Sequence, residues 1–430
     1  MNPRSPLWGD IMPRGPHRHL EYLPEPEDPR MLTAIDPDAP GYPPEAYGAT
    51  REEAEAWRVA TTDQLRRTNP RPWGILVSLC LISALLVSYP AISSYFVGAL
   101  TPNSNWAYED TNIYALQDDL GLSGNGILVC IVDTGIEMTH PDLADANLVR
   151  YRDFVGGDHQ TIQDRGDDLH GTMMAGILVA DGGYQGAAPN VGLVVAAALD
   201  SSGSTQSETT VSDAIEWCWN DMGVDIISLS LGGDPDPENP LGSRTADAVA
   251  DALDHGVFVV AAAGNSGGAG TGVTDVSVPA NVDGVIAVGA VKRDGTLWER
   301  TATGAETEGA DGEVRIEPNQ KPEVTAPGVG IISTSDPSMA IPYSASTGTS
   351  DSTVFVTGAL ALILERHGGA LPDGNSTRDG IMLVKQALAD SCQPNPLQGD
   401  GHHPRWGYGT LDALAWERSV ADAIAQNIDT

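Results

Sequence analysis

The stretch Ile127-Leu128-Val129-Cys130-Ile131-Val132-Asp133 decides the fold. Its apolar residues run without alternation and stop at a carboxylate. A half-exposed strand alternates apolar and polar residues, whereas a strand buried on both faces does not. The run is therefore expected inside a parallel sheet. Similar runs occupy residues 191–199, 224–231, 257–263 and 285–291, with helical patterns between several of them, as at 211–222 and 245–255. Strands alternating with helices predict an α/β fold in three layers, a mostly parallel sheet with helices on both faces. Ligands of such sheets gather at the carboxyl ends of the strands. Asp133 follows one strand, Ser230-Leu231-Gly232-Gly233 closes another and Gly264-Asn265 a third, so these positions are expected to converge on one cleft. Residues 303–320 read as an acidic surface loop, and 411–428 as a closing helix.

The chain has 430 residues, enough for one large domain with appendages or for two domains. Its 59 acidic and 23 basic residues give a net charge of -36. That balance argues against nucleic acid as a partner, which needs basic patches, and reads as a charged, soluble surface. The cysteines are Cys80, Cys130, Cys218 and Cys392. No disulfide framework or CxxC metal site is visible, and Cys80 and Cys130 read as core or membrane residues. Cys392, His402 and His403 fit no standard zinc spacing and read as a surface loop.

Residues 1–48 are rich in proline and charge and are expected to be a disordered tail. Thr50-Arg51-Glu52-Glu53 forms a capping box ahead of a short helix over 51–67. No Asp, Glu, Lys or Arg occurs between Arg71 and Glu109. Residues 73–100 thus exceed the roughly 20 apolar residues that span a bilayer. They predict a single transmembrane helix, with Pro90 tolerated and Trp73, Tyr95, Phe96 and Trp106 at the interfaces. Arg58, Arg66, Arg67 and Arg71 precede the span, and the next basic residue is Arg150. The positive-inside rule then puts the N-terminus in the cytoplasm and the rest outside the cell membrane. Val97-Gly98-Ala99 resembles a signal cleavage site, but the tail and the apolar run are both too long for a signal peptide. The expected plan is a cytoplasmic tail over 1–72, an anchor over 73–100 and a folded domain over 101–430.

Gly348-Thr349-Ser350 leads into the apolar run 354–364. Thr349 or Ser350 can cap the helix that follows, and the helix dipole favours negative charge developing there. A serine becomes a nucleophile only with a base, and the base needs a third group to fix its tautomer. Candidates are His170 in His170-Gly171-Thr172 and Asp133 in Val132-Asp133-Thr134-Gly135. Asn265 can offer its side-chain N–H to an oxyanion. Each residue alone has an ordinary reading as a cap or a turn; together they form a set.

With these motifs the chain resembles the subtilisin family of serine proteases, the subtilases, from about Trp106 to Ala415. The matching stretches are Ile131 to Gly135, His170 to Thr172, Ser230 to Gly233, Ala263 to Asn265, Ala326 to Gly328, Gly348 to Ser350 and Gly407 to Gly409, in the triad order Asp, His, Ser. The resemblance implies a serine endopeptidase acting on proteins or peptides. Ser350 would be the nucleophile, His170 the base, Asp133 its orienting carboxylate, and Asn265 with the Ser350 backbone N–H the oxyanion donors. Ser230, Leu231, Gly232 and Gly233, with Ala262, Ala263 and Gly264, would line the substrate site. The chemistry needs no cofactor.

The chain departs from the family at Asp351-Ser352, where Met-Ala is usual, and at Val354-Phe355, where a Pro-His pair is usual. Met173 stands where a second histidine is common. A charged Asp351 could oppose the oxyanion, or the residue could simply cap the helix and turn away. Asp142 matches a family calcium ligand, but residues 181–186 form a shorter loop than the calcium-binding loop of many relatives, which argues against calcium there. Only about 101–122 remains between anchor and domain, too little for a folding prodomain. Two other readings stay open: a catalytically silent subtilase-fold peptide-binding or surface protein, favoured by Asp351 alone, and an esterase-like hydrolase using the same residues.

Overall fold

The deciding run forms an interior strand of a seven-stranded sheet. The structure is a computed structural model that describes residues 77–78, 80–84, 103–156, 160–205, 207–234, 243–267, 275–307, 312–372 and 377–428. The chain divides into Met1–Ser94 and Tyr95–Thr430, and the fold below is that of the second unit. Of the predicted span, residues 77–78 and 80–84 are described, and they are helical. The rest of 73–100, and the tail over 1–72, lie outside the described residues. Among the described residues no helix is long and apolar enough to cross a membrane.

In chain order the elements begin with α1 (Asn105–Asp110), α2 (Ile113–Leu120), β1 (Leu128–Asp133), β2 (Leu148–Asp153), α3 (His170–Val179) and β3 (Gly192–Ala197). Then come α4 (Glu208–Glu216), which runs into a π-helical turn (Trp217–Asp221), β4 (Ile226–Leu229), α5 (Arg244–Asp254), β5 (Phe258–Ala262) and β6 (Ile286–Val291). Last are β7 (Val324–Pro327), β8 (Val329–Thr334), β9 (Tyr343–Thr347), α6 (Thr349–His367), α7 (Asp379–Ser391) and α8 (Ala413–Ile428).

The sheet order is β2-β3-β1-β4-β5-β6-β7, every pairing parallel, and β8 and β9 form a separate antiparallel pair. Every residue of β3, β4, β5 and β6 is buried. Successive side chains point to opposite faces, so both faces of the central sheet are covered. Helices α3 and α6 pack together as one group and α4 and α5 as another. Strand order reverses beside β1, the place where an open parallel sheet leaves a crevice at its carboxyl edge.

Sequence patterning found the five inner strands of the sheet and missed its two edges. β2 reads Leu-Val-Arg-Tyr-Arg-Asp because it is a half-exposed edge strand. β7 is four residues long and ends at Pro327, tolerable because β7 is the other edge. Residues 303–307 and 312–320 are irregular as expected, with Val314 and Ile316 exposed, yet Arg315 turns inward. Its two terminal nitrogens donate to the two oxygens of Asp275 at 2.8 and 2.9 Å.

Two expectations are corrected. Cys130 is joined in a disulfide to Cys218, although their 88-residue separation showed no framework. The bridge ties β1 to the turn after α4. Trp106 is no interfacial residue but part of α1, packed on the core with the Arg293 guanidinium 5.5 Å from its ring centroid. Helices α1 and α2 pack onto the domain. Tyr108 is buried, stacks on Tyr114 and meets Phe355 edge-on at 4.9 Å. Phe355 is one of the departures from the family pattern, and here it is a docking surface for α1. Helix α8 closes the domain as expected, with Trp416 and Val420 buried.

Candidate active site

Asp133 ends β1 and is fully buried. Its Oδ1 accepts from the Thr134 backbone N–H at 2.7 Å. The His170 ring meets both carboxylate oxygens through Nδ1, at 2.8 and 3.0 Å. With Nδ1 donating, the neutral ring presents an unprotonated Nε2 at its far end, the form a general base requires.

His170 opens α3, and its position is built from several constraints. Leu169, just before it, is held at φ 57°, a left-handed conformation that costs a leucine about 1–3 kcal/mol. A Cβ on Gly171 would lie 2.2 Å from the Gly135 carbonyl oxygen, so only glycine lets α3 begin against the end of β1. Asp164 closes the arrangement. One of its oxygens accepts from Thr134 Oγ1 at 2.7 Å, and the other from Thr172 N and Oγ1 at 2.7 and 2.6 Å. Thr134 Oγ1 in turn accepts from the Gly171 N–H at 2.9 Å. Asp164 thus locks the loop after β1 to the first turn of α3. Sequence reasoning did not single it out; it carries no motif, and its partners lie 30 and 8 residues away.

Ser350 lies in the first turn of α6, 8% exposed. The expected cap is corrected: Gly348 holds the N-cap position, and no side chain caps the helix. Thr349 has another task. Its N–H and Oγ1 donate to Asn265 Oδ1 at 3.0 and 2.9 Å, and its Oγ1 accepts from the Gly264 N–H at 3.2 Å. Holding the amide oxygen fixes the Asn265 side chain and leaves Nδ2 as its ligand-facing end. Asn265 is exposed and lines the cleft beside Ser350. The Ser350 hydroxyl donates to the Ser230 carbonyl at 3.1 Å, and no Ser350–His170 hydrogen bond is present among the described residues. Rotation about the Cα–Cβ bond would redirect Oγ, and such contacts often tighten only with substrate bound.

The cleft, of about 710 Å³, is lined by His170, Ser350, Asn265 and the two expected backbone segments. Ser230, Leu231, Gly232 and Gly233 all face it, as do Ala262 and Gly264. Ala263 does not: it is buried behind the wall, its N–H and C=O paired with Val288 and Ser277. Ser230 also clasps Ser350, its Oγ donating to the Ser350 carbonyl at 3.1 Å.

Asp351 is fully buried and adjoins His170 along a second groove. It therefore does not turn away from the cleft, as the alternative reading had it. Burial pushes its carboxyl up to about 7, opposed by the His170 charge and the Ser346 hydrogen bond. Burial alone would lower the His170 pKa, but Asp133, by charge and hydrogen bond, then Asp351 and Asp168 outweigh it and raise it to about 9. A base must be neutral, so activity should climb as pH rises through the His170 value. Removing the Asp351 charge lowers that value. Asp351→Asn should move the acid limb of kcat/KM to lower pH and raise activity near pH 8 by roughly threefold to tenfold. An unshifted limb in a pH–rate profile would mean that Asp351 does not act on His170.

The donors present do not fit a calcium site. Asp142 Oδ2 accepts from the Tyr343 hydroxyl at 2.9 Å, and Gly182 of the short loop packs against Oδ1. Among the described residues no group of three His, Cys, Asp or Glu could hold a metal. His402 and His403 are committed locally: Nε2 of the first donates to the Pro322 carbonyl at 2.9 Å, and Nδ1 of the second accepts from Arg405 N and Trp406 N.

Residues 124–409 match the sequence profile of the subtilase family. Among similar proteins, subtilisin DY of Bacillus licheniformis is 39% identical over 251 residues, which cover 57% of this chain and 80% of that protein. Subtilisin E of Bacillus subtilis is 36% identical over 251 residues, covering 57% of this chain and 58% of the relative. Serine protease AprX of Bacillus subtilis is 33% identical over 279 residues, covering 59% and 60%. The matched region holds the Asp133–His170 pair, Asn265 and Ser350. The chain belongs to the subtilase family and is a serine endopeptidase.

Proposed function

We propose that the chain cleaves proteins through an acyl-enzyme on Ser350 while anchored in the cell membrane, its catalytic domain outside. Ser350 Oγ attacks the scissile carbonyl carbon as His170 Nε2 takes its proton. The tetrahedral oxyanion lies between Asn265 Nδ2 and the Ser350 backbone N–H. Collapse breaks the C–N bond, and His170 returns the proton to the leaving amine. Water repeats the sequence in reverse and frees the serine. The substrate backbone lies as an added strand against 230–233 and 262–264. The observation carrying this reading is the double contact of His170 Nδ1 with a buried Asp133, on the cleft that also holds Ser350. A silent peptide-binding protein would have no need of that pairing. A serine-reactive phosphonate should label the purified protein stoichiometrically and leave Ser350→Ala unlabelled. Equal labelling of the two would sink the assignment.

The anchor rests on the uncharged stretch 73–100 and on the arginines before it. A disulfide between Cys130 and Cys218 suits an oxidising compartment, as expected outside the cytoplasm. Protease added to intact cells should digest the domain after residue 101 and spare the tail before residue 71. Protection of the domain would reverse the orientation.

A further inference from the structure

The cleft continues past Ser350, away from the 230–233 wall, into a second groove of about 840 Å³. Glu137, Asp167, Asp168 and Asp336 line it, and among the described residues His170 is the only lining side chain able to carry positive charge. The net charge of -36 makes acidic walls unsurprising by themselves. The floor is different. Asp351 is fully buried there, next to the nucleophile. Its Oδ2 accepts from Ser346 Oγ at 3.0 Å, but its Oδ1 has no hydrogen-bond partner among the described residues. Glu137 and Asp336 are engaged by Thr139 and Ser338 in their own turns, and Asp167 and Asp168 are exposed to solvent, so the buried unmet acceptor is that of Asp351. A buried carboxylate oxygen without a donor is stabilised when a cation arrives.

In the proposed reading, and by the resemblance to subtilases, the 230–233 and 262–264 segments of the first groove hold the substrate residues before the cut, so this groove takes those after it. We propose that it receives a lysine or arginine side chain from the residue immediately after the scissile bond, with Asp351 as the specificity-determining partner. The proposal rests on the peptidase reading of the site. The cation enters between the acidic walls, which raise its local concentration, and settles over the Asp351 carboxylate.

The test compares two peptides that differ only after the scissile bond, one with lysine and one with Nε-acetyl-lysine, at fixed ionic strength. The full chain should prefer free lysine by about tenfold or more in kcat/KM, and Asp351→Asn should bring the ratio close to one. A ratio near one in the unaltered protein overturns the proposal, and that result does not depend on any variant folding. A lysine preference that survives in Asp351→Asn overturns it equally. Cleavage of neither peptide, with no phosphonate labelling, would overturn the peptidase reading itself and this inference with it.

Discussion

Ser350→Ala is expected to lower kcat for peptide hydrolysis by about 10⁶, the loss established for the equivalent serine in subtilisin, the worked case of this mechanism. The hydroxyl makes one hydrogen bond as donor, to the Ser230 carbonyl, so its removal disturbs little of the fold. The first turn of α6 remains held by Thr349 on Asn265. Thermal unfolding should therefore be nearly unchanged while turnover disappears. His170→Ala should cost about as much, and the double variant little more, because the residues act as a unit. Independent, additive losses, or an active Ser350→Ala, would show that the hydrolysis belongs to other groups.

Asp133→Asn should cost about 10⁴ in kcat, the size seen when the same change is made in a Ser-His-Asp protease. The structure gives a reason. Thr134 N–H holds Oδ1 at 2.7 Å, so an asparagine would keep its oxygen there. Its amide nitrogen would then take the Oδ2 place, 3.0 Å from His170 Nδ1. An N–H facing Nδ1 drives the ring proton to Nε2, the atom that must accept from serine. The loss of charge also removes the main influence raising the His170 pKa, so the residual activity should have its acid limb at lower pH. Both features can be read in one pH–rate profile. A loss below tenfold, or an acid limb at higher pH, would remove Asp133 from the orienting role.

The five central strands were legible because burial on both faces leaves a purely local signature, an unbroken apolar run such as 127–132. The edge strands were not: half-exposed β2, with Arg150 and Arg152, looks like loop, and β7 is only four residues long. Charge misleads in the opposite sense around β7. Lys321, Glu323 and Lys385 are charged, yet both ammonium groups meet Glu323 Oε1 in the core, at 2.9 and 2.7 Å. The Lys385–Glu323 pairing that helps make such burial tolerable spans 62 residues and leaves no local trace.

The site divides in the same way. The sequence by itself determined the residue types, their order and the elements that carry them: Asp133 at a strand end, His170 and Ser350 at helix starts and Asn265 in a glycine turn. These are local matters of backbone conformation and chain direction. Only the tertiary structure decided that Asp164 locks His170 to β1, that Thr349 aims Asn265 rather than capping α6, that Cys130 meets Cys218, and that Asp351 lies buried in the floor of a groove rather than turned away from it. Each of these depends on which distant groups share a desolvated space. Desolvation sets both hydrogen-bond strength and the charge state of a carboxylate, and it is a property of the packed molecule, not of any stretch of chain.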